Sequence, residues 1–253
     1  MLGEFSGSGT NTRKAEHGQP EAGVFVTEEA PNAGERLRSI HERMARAQQR
    51  FGPPPDAVTL VAVSKTFGPE AIRPFLAAGH RVFGENRVQE AQRKWLALRA
   101  FYDDIELHLI GPLQTNKARD AVGLFDVIQT VDRDKLAAVL RAEMDRAGRN
   151  LSIFVQVNIG GEPQKAGVAI GEAVDFVGRC RSEHRLDVLG LMCIPPDGVP
   201  PGPYFAHLSQ LAREAGVAKL SMGMSGDFET AIAMGATHVR IGSALFGARS
   251  VTS

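Results

Sequence analysis

From Glu35 to Arg249 the apolar residues follow two alternating patterns. Leu37, Ile40, Met44, Ala47 and Phe51 fall three and four residues apart, the spacing of one helix face. FGPPP then stops the helix, because proline lacks the N–H that would continue it. VTLVAV, at 58–63, is apolar but for Thr59, short enough for a strand and dense enough to be buried on both faces. The alternation repeats along the chain. Further strands are expected at 81–84, 105–110, 125–129, 151–158 and 186–191, then in AKLSMG and ATHVRIG. Between them the helical spacing predicts helices over 88–98, 115–122, 170–181 and 203–215, with shorter ones in GDFETAIAMG and SALFGA. Asp132 is the expected N-cap of a helix carrying Leu136, Val139, Leu140 and Met144 and closed by Gly148. The helix carrying Ile72, Phe75 and Leu76 also contains Pro74, which predicts a kink or a late start there.

Eight apolar strands, each followed by a helix across a short connection, describe a parallel sheet covered on its outer face. Eight such units suggest a single closed (β/α)8 TIM-type barrel. The alternative, an open doubly wound sheet, normally carries a glycine fingerprint after its first strand, and SKTFGP is not one. The domain expectation is a disordered leader over 1–34 and a barrel over 35–253. The leader is rich in Gly, Ser, Thr and Glu, has no periodicity, and lacks the apolar stretch of a signal peptide.

Charge and cysteine content narrow the classes. Lys plus Arg and Asp plus Glu are 29 each, so the net charge is zero. That argues against nucleic acid as a partner, which calls for a basic face. No apolar run approaches a membrane span. The two cysteines, Cys180 and Cys193, have no metal-ligand spacing and fit a reduced, cytoplasmic protein.

A barrel of this kind builds its active site at the C-terminal ends of its strands. Read in order, those ends carry Lys65 and Thr66, Glu85 and Asn86, Gly111 and Gln114, Thr130, Asn158, Met192 and Cys193, Ser221 to Ser225, and Arg240 to Ser243. Lys65 directly continues a strand core. An amine there loses hydration and becomes a nucleophile toward carbonyls. The ordinary alternative is a snorkelling or ion-paired lysine. SMGMSGDF and RIGSALFG follow the seventh and eighth strands, where such barrels often hold a phosphate. Their glycines let backbone N–H groups approach an anion, and their serines add donors. An amine facing a phosphate site suggests a phosphorylated aldehyde, of which pyridoxal 5'-phosphate (PLP) is the common biological one. Arg240 is placed to face the ring nitrogen, where its charge would keep that nitrogen unprotonated.

The segments AVSKT, FGENRVQEA, LHLIGPLQTNK, VQVNIGGEPQKAG, GLMCIPP and LSMGMSGDFETAIAMGATHVRIGSALFG together resemble the YggS/PROSC family of pyridoxal-phosphate homeostasis proteins. The resemblance runs from about Glu35 to Arg249. It implies the barrel of the alanine racemase N-terminal domain, fold type III among PLP proteins. It also implies a Schiff base on Lys65, with phosphate contacts from Ser221, Met222, Ser225, Gly242 and Ser243. Asn86 would line the ring and Arg240 would lie near the pyridine nitrogen. Lys165 matches a second lysine that the family places near the site. The implied role is intracellular PLP homeostasis and supply, without a reaction of its own, by a monomer in transient contact with apo PLP-dependent enzymes.

The alternative from another class is an amino-acid racemase-like PLP enzyme. A two-base racemase needs a second acid/base group across the ring. Tyr102 and Tyr204, the two tyrosines, lie in helical segments away from the strand ends, and the barrel leaves few residues for a further domain. A Schiff-base aldolase is a third reading, and it would need Glu85 as its acid.

Overall fold

In the computed structural model the described residues are 32–51 and 57–247. Residues 1–31 of the expected leader and the prolines of FGPPP lie outside them, while its last three residues, 32–34, belong to the start of the first helix. Helix α1, Ala33–Phe51, opens with a reciprocal cap: Glu35 N–H donates to Asn32 Oδ1 at 3.0 Å, and Asn32 N–H to Glu35 Oε2 at 2.9 Å.

The remaining elements alternate as expected. Strands are β1 Thr59–Val63, β2 Val82–Glu85, β3 Glu106–Leu109, β4 Val127–Val131, β5 Ser152–Val157, β6 Asp187–Cys193, β7 Lys219–Ser221 and β8 His238–Ile241. Helices are α2 Pro69–Ala77, α3 Val88–Arg99, α4 Ala118–Leu124, α5 Asp134–Ala147, α6 Ala173–Ser182, α7 Gly202–Glu214, α8 Phe228–Ala233 and α9 Ser243–Phe246. The strands pair in sequence order, all parallel, and β8 returns to β1 to close a barrel. The open-sheet alternative is thereby excluded.

Side-chain parity divides each strand between two environments. Outward residues such as Leu60, Ala62, Phe83, Leu107 and Leu109 pack under the helices with Trp95, Phe125, Phe176 and Phe205. Each fully buried Leu or Phe of this layer contributes about 1.5–3 kcal/mol of transfer free energy. Inward residues fill the lumen, where Val127, Phe154 and Met192 form a separate small cluster.

Two local expectations need correction. Asp132 does not cap α5; the N-cap position is Arg133, without a side-chain cap. The Asp132 carboxylate is taken by an ion pair with the Arg133 guanidinium, which also holds the Leu113 carbonyl. Gly148 does close α5, in the left-handed conformation. Helix α2 does not start late. It begins at Pro69, and Pro74 sits inside it on the exposed face, where water can reach the carbonyl that loses its partner.

Candidate functional site

The C-terminal mouth of the barrel holds a cavity of about 670 Å³, a size typical of small-ligand sites. Parity explains its walls. Val63 and Lys65 share the inward face of the first strand and its extension, while Ser64 points outward. Asn86 likewise faces the cavity and Glu85 faces out. Gln156 and Asn158 from β5 and its extension, and Ile194 just past β6, continue the ring. Met224, Ser225 and Gly226 arrive from the β7–α8 turn, Gly242 and Ser243 from the β8–α9 turn, and Arg240 forms part of the floor.

The turn that carries Lys65 is fixed from behind. Lys94 Nζ, on α3, donates to the carbonyls of Ser64 and Phe67 at 2.8 and 3.0 Å. It also pairs with Glu85 and Glu90, each at 2.9 Å. Glu90 accepts the Thr66 N–H, and Thr66 adopts a left-handed φ of 69°. Glu85 is fully buried and further bound by Ser64 Oγ at 2.6 Å and Trp95 Nε1 at 2.9 Å. Burial raises its pKa, and the Lys94 charge and these hydrogen bonds oppose that rise. Glu85 therefore belongs to the outer wall, not to the cavity, and the aldolase reading loses its acid.

Across from Lys65, the segment 158–168 folds over the rim. Asn158 Nδ2 donates to the Glu162 carbonyl at 2.8 Å, and Glu162 N–H returns to Asn158 Oδ1 at 3.1 Å. Gly167 has φ of 122°, and a Cβ there would meet Asn158 N at 2.5 Å, so only glycine fits. Lys165 lines the cavity, paired with Glu162 at 2.7 Å and donating to the Pro195 carbonyl at 3.1 Å.

Of the residues singled out from sequence, Lys65, Asn86, Ser225, Arg240, Gly242 and Ser243 come together around one cavity. Ser221 and Met222 do not. Both are fully buried, Ser221 beneath the cavity and Met222 in the outer core. Ser221 Oγ accepts from Arg240 Nη1 at 2.8 Å and donates to Gln129 Oε1 at 2.6 Å, so it supports the arginine instead of reaching a ligand. Met192 and Cys193 lie too deep, and Thr130 is spent on the Gly111 carbonyl at 2.8 Å. Tyr102 and Tyr204 pack against the outer core, and neither lines the cavity. Phe67, Gln156, Gln164 and Ile194 were not anticipated, whereas Met224 falls within the expected run Ser221 to Ser225. Counting back by two from Asn158 would have found Gln156.

Gly111 touches this wall most closely. A Cβ there would stand 2.2 Å from the Asn86 carbonyl oxygen. Gly111→Ala is expected to push the Asn86 backbone out of the wall and to destabilise the protein by about 1–3 kcal/mol. Chemical denaturation of the variant beside the parent measures it.

The electrostatics suit an anion with a carbonyl group. Arg240 is buried, and burial lowers its pKa. No group of three or more potential metal ligands exists among the described residues. An amine, a buried guanidinium and two serine–glycine turns make a donor set that fits a phosphorylated aldehyde.

Residues 36–250 match the family model of the alanine racemase N-terminal domain, and the chain is a barrel of that class. A protein of Aquifex aeolicus (strain VF5) named pyridoxal phosphate homeostasis protein is 42% identical over 86% of this chain and 99% of its own. The chain belongs to the family of pyridoxal phosphate homeostasis proteins. The solved structure of PipY from Synechococcus elongatus PCC7942 with PLP bound is 38% identical, covering 82% of this chain and 100% of that one, with a TM-score of 0.73. Alanine racemase of Clostridium difficile 630 shares the fold at 15% identity and a TM-score of 0.65, and the match covers 57% of that chain.

Proposed function

We propose that this protein binds PLP in the mouth of its barrel and serves the homeostasis and supply of that cofactor without catalysing a reaction on amino acids. The observation that carries this reading is the convergence of Lys65 with Ser225, Gly242, Ser243 and Arg240 on one cavity. When bound, PLP supplies an aldehyde that an amine can hold covalently. Lys65 would be that amine, and the two late turns would bind the phosphate. Arg240 would face the ring nitrogen and Asn86 the ring. The relatives' name and the PLP-bound PipY structure support the assignment. The setting in this proposal is cytoplasmic and the protein a monomer. Among the described residues no helix is long and apolar enough to cross a membrane.

The racemase-like alternative needs a second acid/base group opposite Lys65. Both tyrosines of the chain lie off the cavity. A positive guanidinium at the ring nitrogen would also disfavour protonation there, and with it the stabilisation of a carbanion. Each missing general acid or base is worth about two to four powers of ten in rate.

The deciding experiment mixes PLP-loaded protein with an apo PLP-dependent enzyme, and separately with single L-amino acids. Recovery of the enzyme's activity is expected. Optical rotation and keto-acid assays are expected to show turnover orders of magnitude below about 10 per second. Turnover near that value, lost in Lys65→Ala, would make the protein an enzyme.

A further inference from the structure

Beneath the cavity the lumen holds a run of polar side chains. Glu106 begins β3 at the N-terminal mouth, its side chain 48% exposed. His108, Gln129 and Ser221 are buried on β3, β4 and β7, and Arg240 ends the run at the cavity floor. Each meets the next at hydrogen-bond distance. His108 Nε2 lies 2.5 Å from Glu106 Oε1, and His108 Nδ1 lies 2.7 Å from Gln129 Nε2. Gln129 Oε1 to Ser221 Oγ is 2.6 Å, and Ser221 Oγ to Arg240 Nη1 is 2.8 Å. The column crosses the barrel from one mouth to the other.

Its proton arrangement is dictated by the arginine. A guanidinium only donates. Ser221 Oγ must therefore accept from Arg240 and send its own proton to Gln129 Oε1. That turns the Gln129 NH₂ toward His108, whose Nδ1 must present a lone pair. The single proton of a neutral imidazole is then on Nε2, donated to the Glu106 carboxylate. All dipoles align between a carboxylate and a guanidinium, and each polarises the next.

The other groups around the column are consistent with this. His238 lies 6.1 Å from His108, ring to ring, and burial above all pushes its pKa down to about 3, so it stays neutral. The His108 hydrogen bond outweighs burial and holds the Glu106 pKa below its usual value. Arg240 itself is a buried charge, and among the described residues no carboxylate is bonded to it. Besides Ser221, it donates to the Cys193 carbonyl at 2.8 Å. A buried charge of this kind depends on oriented dipoles for its compensation.

We propose that His108, Gln129 and Ser221 are positioning residues for Arg240, and that Glu106, at the opposite mouth of the barrel, anchors the column as its last, charged acceptor and so steadies the guanidinium against bound PLP. The proposal rests on the reading that Arg240 faces the ring nitrogen of PLP. Its consequence is that a change on the far face of the barrel alters cofactor release.

Glu106→Gln, Ser221→Ala and Ser221→Thr test it, each compared with the parent protein. PLP release is followed by the visible absorption of the loaded protein, folding by thermal melting, and the His108 tautomer by NMR of labelled histidine nitrogens without PLP. Ser221→Ala is expected to release PLP about tenfold faster, the scale of one hydrogen bond to a charged group. Ser221→Thr, which keeps the hydroxyl, restores most of the parental rate. Glu106→Gln keeps the parental melting temperature, as a half-exposed substitution should, yet releases PLP several-fold faster. In the parent the His108 proton is found on Nε2; a proton on Nδ1 would break the column and overturn the proposal. Parental release rates in both Glu106→Gln and Ser221→Ala, with PLP still fixed to Lys65, would overturn the proposal. An equal loss in the alanine and threonine variants would do the same, because it would assign the effect to packing. Failure of the parent to take up PLP would instead overturn the reading of the cavity, and the histidine NMR would still decide the column.

Discussion

Lys65→Ala is expected to abolish the adduct that borohydride fixes between PLP and the parent chain. Among the lysines, Lys65 lies at the end of an apolar strand with its side chain turned into the cavity that the two late turns also line. Lys165 also lines the cavity, but it is carried by the 158–168 segment and not by the end of a strand, with its amine held by Glu162 and the Pro195 carbonyl. Lys94 is buried behind the wall among two carboxylates and two carbonyls. Peptide mapping of the reduced parent should therefore place the adduct on the peptide containing Lys65 and on no other. In Lys65→Ala the yellow colour is expected to disappear, while the phosphate turns retain weak, fully reversible binding. An adduct found only on Lys117, Lys165 or Lys219 would show that the assignment is wrong.

The second large effect concerns the phosphate. Ser225 and Ser243 sit on turns that open α8 and α9, beside Gly226 and Gly242, and all four line the cavity. Hydrogen bonds to a charged oxygen contribute about 1.5–3 kcal/mol each. Removing both hydroxyls in a Ser225→Ala, Ser243→Ala double variant should weaken PLP binding by about two to four powers of ten. Pyridoxal, which has the aldehyde but no phosphate, should bind the parent weakly and lose little in the double variant. Titrations of both aldehydes against both proteins make a double comparison. Equal affinity of the parent for PLP and pyridoxal would remove the turns from the phosphate site.

Much of this was legible in the sequence, for a physical reason. Parallel barrel strands are buried on both faces, so each reads as an apolar run, and a cation such as Lys65 directly after one stands out. The late glycines and serines were legible because a βα turn that admits an anion needs residues without bulk. Depth along a strand was not legible. Ser221 and Ser225 have the same chemistry, and only the closed barrel shows that one lies below the floor and the other at the mouth. The polar lumen was invisible for a related reason. Glu106 and His108 alternate with apolar residues in IELHLI, and Gln129 closes FDVIQ, but polar positions within single strands do not reveal that residues from β3, β4 and β7 meet in the centre. Asp132 shows how a local rule is overridden: its carboxylate had the right position for a cap, but a neighbouring guanidinium competes for it.

The knot behind the Lys65 turn bears on how a cargo would leave. Lys94 ties the carbonyls on both sides of Lys65 to the outer wall, and Glu90 holds the amide of the next residue. A one-residue slip of this strand would send Lys65 into that wall and Ser64 into the mouth, and the knot blocks it. A carrier could unload by swinging its attachment arm or by exchanging the bond at a stationary arm. A turn tied at three backbone positions favours the second. On the proposed reading, unloading is then timed by bond exchange at one nitrogen, and it quickens with the supply of competing amines or water more than with any loosening of the scaffold.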